Sequence, residues 1–298
     1  MTLSIKKPKK ILLASGCSYT DEKFKSMRED VPEEYRDSYK MWPAHIAEQL
    51  DLECVNVGKN GASNQNIYNS IIDSIMKYGD RIDTVCVLWS GWDRFVFAND
   101  LVLVISHYMS QKIIKKEKDS PGYNWVADIG LDDVIEKWIG TYWFQPELQL
   151  TNQIKSTLTF MISLALICEQ RNIKYIYAQG VNALNLNVYN AISDELAAAG
   201  NLTVQNKLKR FSIESSFLKN PIFSQLERRK NKIVGWPFEP KIGGYYLDDH
   251  RIKSIGSFWK DSHKNNLYRI SEKDWHPNKE GQKIISQIFL EKYEEVYA

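Results

Sequence analysis

Apolar positions gather in short continuous blocks, and helical stripes separate the blocks. Ile11-Leu12-Leu13-Ala14 is an unbroken apolar run, as expected of a strand covered on both faces. From Asp21 to Tyr39 polar and charged residues dominate, which predicts a surface loop. In WPAHIAEQL, Trp42, Ile46 and Leu50 fall four apart with Pro43 in the first turn, which predicts an amphipathic helix. Leu52 to Val57 reads as a second strand, and Gly58-Lys59-Asn60-Gly61 as a turn. Ser63 can cap a helix whose apolar face is Ile67, Ile71, Ile72, Ile75 and Met76. Asp83 to Trp89 is a third strand. Strand, helix, strand, helix, strand in this order predicts parallel pairing through right-handed crossovers.

The second half is less regular. The pattern predicts a helix near Leu101–Lys116, then a turn at Pro121-Gly122 and the aromatic segment KWIGTYWFQPE. A long helix over about Asn152–Gln170 leads into a fourth strand, Lys174 to Ala178. Residues 182–230 read as irregular or helical, and Lys232-Ile233-Val234 as a short fifth strand ending at Gly235-Trp236-Pro237. The chain closes with a helix striped by Ile284, Ile285, Ile288, Phe289, Tyr293 and Val296. There is no internal repeat and no low-complexity linker. The expectation is one α/β domain over 1–298, with a parallel sheet of about five strands in the order 2-1-3-4-5. Long insertions are expected near 95–150 and 182–270.

Composition narrows the function classes. With 298 residues, 43% of them hydrophobic, the chain can build a sizeable core without a metal or disulfide staple. Thirty-nine basic residues against 37 acidic leave +2, which gives no global pull toward nucleic acid or an anionic membrane. No run of apolar residues is long enough for a membrane-spanning helix. MTLSIKKPKK is followed by an apolar stretch too short for a signal-peptide core, so the expected compartment is cytoplasmic. Cys17, Cys54, Cys86 and Cys168 lack CxxC spacing and read as reduced thiols rather than zinc ligands. His250 follows Asp248 and Asp249 without a ligand pattern, so no metal and no cofactor is expected.

Three small-residue turns follow the first three strands: GCS at 16–18, GKNGAS at 58–63 and SGWDR at 90–94. A fourth element, DWHPNKEG at 274–281, precedes the last helix. In a parallel sheet the strands end on one edge, so all four elements can converge there. A hydroxyl, a histidine near a carboxylate and glycine-rich turns are what acyl transfer requires. The hydroxyl attacks, the imidazole takes its proton, a carboxylate orients the ring, and backbone N–H groups stabilise the oxyanion. Cys17 is the rival nucleophile, but its side chain should point away from the direction Ser18 faces.

Gly16-Cys17-Ser18-Tyr19-Thr20 resembles the G-D-S-x-T block of the SGNH/GDSL hydrolase superfamily, with Cys17 in place of the aspartate. Asn56-Val57-Gly58-Lys59-Asn60-Gly61 is similar to its second block, and Ser90-Gly91-Trp92-Asp93 falls where G-x-N-D belongs. Asp274-Trp275-His276-Pro277 resembles its D-x-x-H-P block. The resemblance implies a three-layer flavodoxin-like fold, Ser18 as nucleophile, His276 as base and Gly61 as an oxyanion donor. Trp92 stands where the family has its oxyanion asparagine, and Trp92 or the nearby Arg94 would have to substitute for it. Asp274 lies two residues before His276 rather than three, and Lys273 takes the usual acid position. Either Asp274 or a backbone carbonyl then orients the ring.

The activity so implied is a serine esterase removing a small, acetyl-like acyl group, with a small-molecule or carbohydrate ester as substrate. The alternative is a catalytically silent module of the same fold that binds or scaffolds. The stretch 207–232 carries eight basic and two acidic residues with interleaved aromatics. It reads as a solvated helical face rather than a nucleic-acid site. Tyr123, Trp125, Trp138, Tyr142, Trp143 and Phe144 read as the core of the first insertion, with a sugar-stacking wall as the other reading.

Overall fold

The structure is a computed structural model. It describes residues 8–26, 31–91, 94–97, 103–106, 146–180, 221–236, 268, 270–271, 274 and 276–298. The chain divides into two compact units. The first comprises Met1–Ser90, Phe160–Ala183 and Gln225–Ala298, and the second Gly91–Thr159 and Leu184–Ser224.

In the first unit, β1 (Ile11–Gly16), β2 (Glu53–Asn56), β3 (Ile82–Trp89) and a later strand, Lys174–Gln179, form a four-stranded parallel sheet. The second unit holds β4 (Arg94–Phe97) and β5 (Leu103–Ser106), so the later strand is β6. The sheet order is β2-β1-β3-β6, as the expected 2-1-3-4 requires. All three pairings are parallel, with Ile11 opposite Glu53, Leu13 opposite Val85 and Val87 opposite Tyr177. The expected fifth strand is reduced to one parallel bridge from Ile233 to Tyr177. A 3-10 turn over Lys230–Lys232 precedes it and Gly235, at φ 63°, turns the chain away, so no ladder can extend.

Helices α1 (Trp42–Gln49), α2 (Asn64–Tyr78), α3 (Pro146–Gln170), α4 (Pro221–Glu227) and α5 (Lys279–Tyr297) complete the described elements. Side chains alternate across a strand, so the sheet sorts its residues into two faces. Leu12, Ala14, Cys86, Leu88, Ile176 and Ala178 share one buried cluster with Trp42 and Ile46 of α1 and Ile285, Ile288 and Phe289 of α5. The opposite face meets α2 through Ser15–Ser70 and α3 through the Tyr177 hydroxyl, which donates to the Met161 carbonyl. The result is a three-layer α/β/α arrangement of flavodoxin-like order. Ser63 caps α2, accepting from Asn66 N while the Asn66 side chain accepts from Ser63 N.

Two expectations need correction. The helix expected over Leu101–Lys116 gives way at 103–106 to β5, antiparallel to β4 with Phe97 opposite Leu103. LVLVIS and RFVF are β-branched and aromatic, and an unbroken apolar run carries no helical periodicity of its own. Residues 107–116 and the aromatic segment 123–145 lie outside the described residues. The surface loop expected over Asp21–Tyr39 is partly core: Phe24, Val31, Met41 and Ile270 form a buried cluster, with Tyr35 and Tyr39 packed on it.

The four cysteines are free. Burial pushes the Cys54 and Cys168 thiols up to about 12. In the described part of the basic stretch, Arg229 pairs with the Glu169 carboxylate through two nitrogens, and Lys232 lies 4.4 Å over the Tyr175 ring. Both cations thus serve internal packing. Among the described residues no helix is long and apolar enough to cross a membrane.

Candidate active site

The order β2-β1-β3 means that successive connections leave β1 in opposite directions. The gap opens at the C-terminal ends of β1 and β3, which is where open α/β sheets bind ligands. Ser18 lies just past the end of β1, 7% exposed. The turn carrying it is closed by Thr20 N and Asp21 N, which both donate to the Cys17 carbonyl at 2.9 and 3.2 Å. Cys17 is fully buried within the α1/α5 cluster, so its thiol faces the core, away from the sheet edge.

The closing helix tightens this turn. Gln282 donates to the Tyr19 carbonyl at 3.2 Å and accepts from Trp42 N at 3.0 Å, while Trp42 Nε1 donates to Thr20 Oγ1 at 3.1 Å. One buried amide therefore fastens the Ser18 turn, α1 and α5 together. Asn278 caps α5 through Gly281 N at 2.9 Å, which fixes where the helix begins and so where His276 stands.

Ser18 and His276 are 258 residues apart, and His276 Nε2 lies 2.9 Å from Ser18 Oγ. On the other side His276 Nδ1 lies 2.6 Å from Asp274 Oδ1. An ionised carboxylate can only accept, so Nδ1 carries the proton of the neutral ring and Nε2 accepts from the Ser18 hydroxyl. Of the two orienting groups left open by the sequence, the nearer one here is Asp274. The short spacing closes through one oxygen: Asp274 Oδ1 also accepts from His276 N at 3.1 Å, an Asx-type turn. Burial acts to raise the Asp274 pKa. The hydrogen bonds of His276, the charge of its ring when protonated, and the Ser26 hydroxyl outweigh it and hold the carboxyl at about 2.

Phe24 stacks on the imidazole at 4.1 Å between centroids, and Tyr19 meets it edge-on at 5.5 Å. Ser26 Oγ donates to Asp274 Oδ2, and the Tyr39 hydroxyl donates to the Pro277 carbonyl at 2.5 Å. Burial, then the Asp274 charge, pushes the Tyr39 phenol up. Of these, Phe24, Ser26 and Tyr39 were not singled out in the sequence. Nothing in their spacing marks them, because they reach the site from a loop more than 200 residues upstream of His276.

The turn after β2 is tied to the turn after β1. Asn56 Nδ2 donates to the Thr20 carbonyl at 2.6 Å, Lys59 N to the Gly16 carbonyl at 3.1 Å, and Asn60 N to Asp21 Oδ2 at 2.8 Å. Gly61 follows, exposed and at φ 76°, a left-handed conformation glycine adopts without strain. Among the described residues, the N–H groups of Ser18 and Gly61 have no hydrogen-bond acceptor. Trp92 lies outside the described residues. Arg94 belongs to the second unit, where it opens β4 opposite Ser106. The loop end after β3 is fixed by Asn64, whose amide accepts from Ser90 N at 2.8 Å and donates to Ser90 O at 3.2 Å. Among the described residues no group of three or more His, Cys, Asp or Glu could hold a metal ion.

No family model matches the sequence, and no curated protein matches it. Solved structures do match over nearly the whole chain at low identity. A protein from Desulfitobacterium hafniense described as lipolytic and of the G-D-S-L family is 14% identical, with 95% of this chain and 98% of that one covered and a TM-score of 0.39. An acetylxylan esterase from Geobacillus stearothermophilus is 13% identical, with 95% and 93% covered and a TM-score of 0.40. A protein from Parabacteroides merdae described as a GDSL-like lipase is 10% identical, with 97% of each chain covered and a TM-score of 0.41. The proteins this chain is similar to are thus described as GDSL-type lipolytic proteins and an acetylxylan esterase.

Proposed function

We propose that the chain is a serine hydrolase of the SGNH/GDSL kind that cleaves esters of a small acyl group, of acetyl size, on a hydroxyl-rich alcohol such as a carbohydrate. The observation that carries this reading is the hydrogen-bonded line from Ser18 Oγ through His276 to Asp274 at the sheet's topological switch point. Ser18 Oγ attacks the ester carbonyl as His276 Nε2 takes its proton, and the C–O bond to the alcohol breaks as that proton passes to the leaving oxygen. Water then attacks the acyl-serine with His276 again as base, and the acid leaves. Ser18 N and Gly61 N are the proposed oxyanion donors. Phe24 and Tyr19 crowd the imidazole, which suits a short acyl chain. Exposed Glu22, Lys23, Lys59 and Asn60 near the turn suit a polar alcohol better than a lipid. The same reading takes 1–298 as one hydrolase domain in which 95–150 and 182–270 are insertions.

The test is turnover of p-nitrophenyl acetate and longer esters, followed by an acetylated oligosaccharide. Ser18→Ala and His276→Ala should each lower kcat roughly 10³-fold or more, and Asp274→Asn by a smaller factor. Wild-type turnover in both single variants would remove Ser18 and His276 from the mechanism, and no turnover by the unmodified chain on any of these esters would mean that it is the silent module instead.

A further inference from the structure

The Asp-x-His spacing sets a geometric problem at Asp274, and a side chain from the far end of the sequence meets it. With the carboxylate two residues before the histidine, Oδ1 must both close the backbone turn, through His276 N, and orient the ring, through Nδ1. Both bonds come from one residue and end on one oxygen, so neither of them supports Oδ2. The second oxygen, Oδ2, faces away from His276 on a residue only 3% exposed. Its donor is the Ser26 hydroxyl, 248 positions away and itself 7% exposed. Ser26 is held in turn by its own N–H, which donates to the Tyr35 carbonyl at 3.5 Å. The segment that delivers it also delivers Phe24, stacked on the His276 ring. Asp274 N and O are already bound to Ser271, so the backbone of Asp274 is fixed independently of Ser26.

We propose that Ser26 is a positioning residue for the hydrolase: by binding Asp274 Oδ2 it locks the carboxylate in the rotamer that aims His276 at Ser18. The proposal rests on the hydrolase reading above. Removing the hydroxyl leaves a buried carboxylate oxygen short of a donor and free to rotate toward another partner, which loosens the ring without touching the ester.

The experiment is steady-state hydrolysis of p-nitrophenyl acetate by the full chain and by Ser26→Ala, Ser26→Thr, Asp274→Asn and the Ser26→Ala/Asp274→Asn double variant. Ser26→Ala should lower kcat about tenfold with KM unchanged. Ser26→Thr should restore most of it. In the Asp274→Asn background the alanine should cost less than about twofold, because the interaction it removes is already broken. An unchanged kcat in Ser26→Ala, equal losses in both backgrounds, or a raised KM with kcat intact would overturn the proposal. Should Ser26→Ala fail to fold by circular dichroism, Ser26→Thr and Ser26→Cys are compared instead. A higher kcat for the hydroxyl supports the proposal, and equal values sink it. Ser18→Ala separates the two levels: if it is dead while Ser26→Ala is normal, the hydrolase reading stands and the role of Ser26 falls. Wild-type turnover in Ser18→Ala removes both.

Discussion

Asp274 is the residue whose protonation most directly couples the site to stability. Its carboxyl titrates at about 2 in the folded chain against an ordinary 3.8, so the unfolded state binds the proton more tightly. The associated stabilisation, on the order of 1–2 kcal/mol, is fully present above about pH 4 and is lost as pH falls toward 2. Urea unfolding across pH 2–4 should therefore show a steeper loss for the wild type than for Asp274→Asn, and equal slopes would count against the assignment. Cys17 allows a second check at this scale. Its thiol is fully buried in the core, so iodoacetamide on the native protein should leave esterase activity unchanged. Loss of activity on modification of Cys17 alone, together with a dead Cys17→Ala, would move the nucleophile from Ser18 to Cys17.

The loops after β1 and β2 act as one unit because backbone and amide hydrogen bonds cross between them. At Gly58 they leave no room for a side chain: a Cβ there would sit 2.7 Å from both Cβ and Cγ2 of Thr20. Thr20 closes the Ser18 turn, so Gly58→Ala should displace Ser18, the proposed nucleophile, and cut kcat/KM at least about tenfold. Gly61→Ala meets no neighbour within 4 Å and carries only the strain of its positive φ. Normal activity in Gly58→Ala would mean that the two turns are not mechanically coupled. The α2 cap makes a quieter contribution. Ser63→Ala should lower unfolding free energy by about 1 kcal/mol, read by urea denaturation, without altering kcat.

At the scale of the whole molecule, Trp42 of α1 and Phe289 of α5 lie stacked at 4.5 Å between centroids, deep in the layer that anchors α5 to the sheet. Phe289→Ala should cost about 3–5 kcal/mol, and because His276 is set by the start of α5, activity should vanish along the same urea transition as the fold. Activity lost well before unfolding would show that the helix start moves independently of its packed body. The strands β1 to β3, the helices between them and the closing helix were legible in the sequence, because apolar runs and stripes report burial one position at a time. The Ser18 turn and the His-Pro turn, whose side chains the structure brings within 2.9 Å, were legible for a related reason: each is a local motif at an element's end. Tertiary structure alone decided the rest. The apolar run around 103–106 has no period that separates strand from buried helix, and pairing with β4 selected the strand at Leu103–Ser106. The shortened Asp-x-His spacing left two orienting groups open until the turn closed on Oδ1. Phe24, Ser26 and Tyr39 came from a stretch whose polarity marked it as surface, because a few buried side chains among many charged ones leave no periodic trace. Local pattern determines which elements form, whereas contacts between residues more than 200 positions apart are fixed only when the sheet order brings their loops to the same edge.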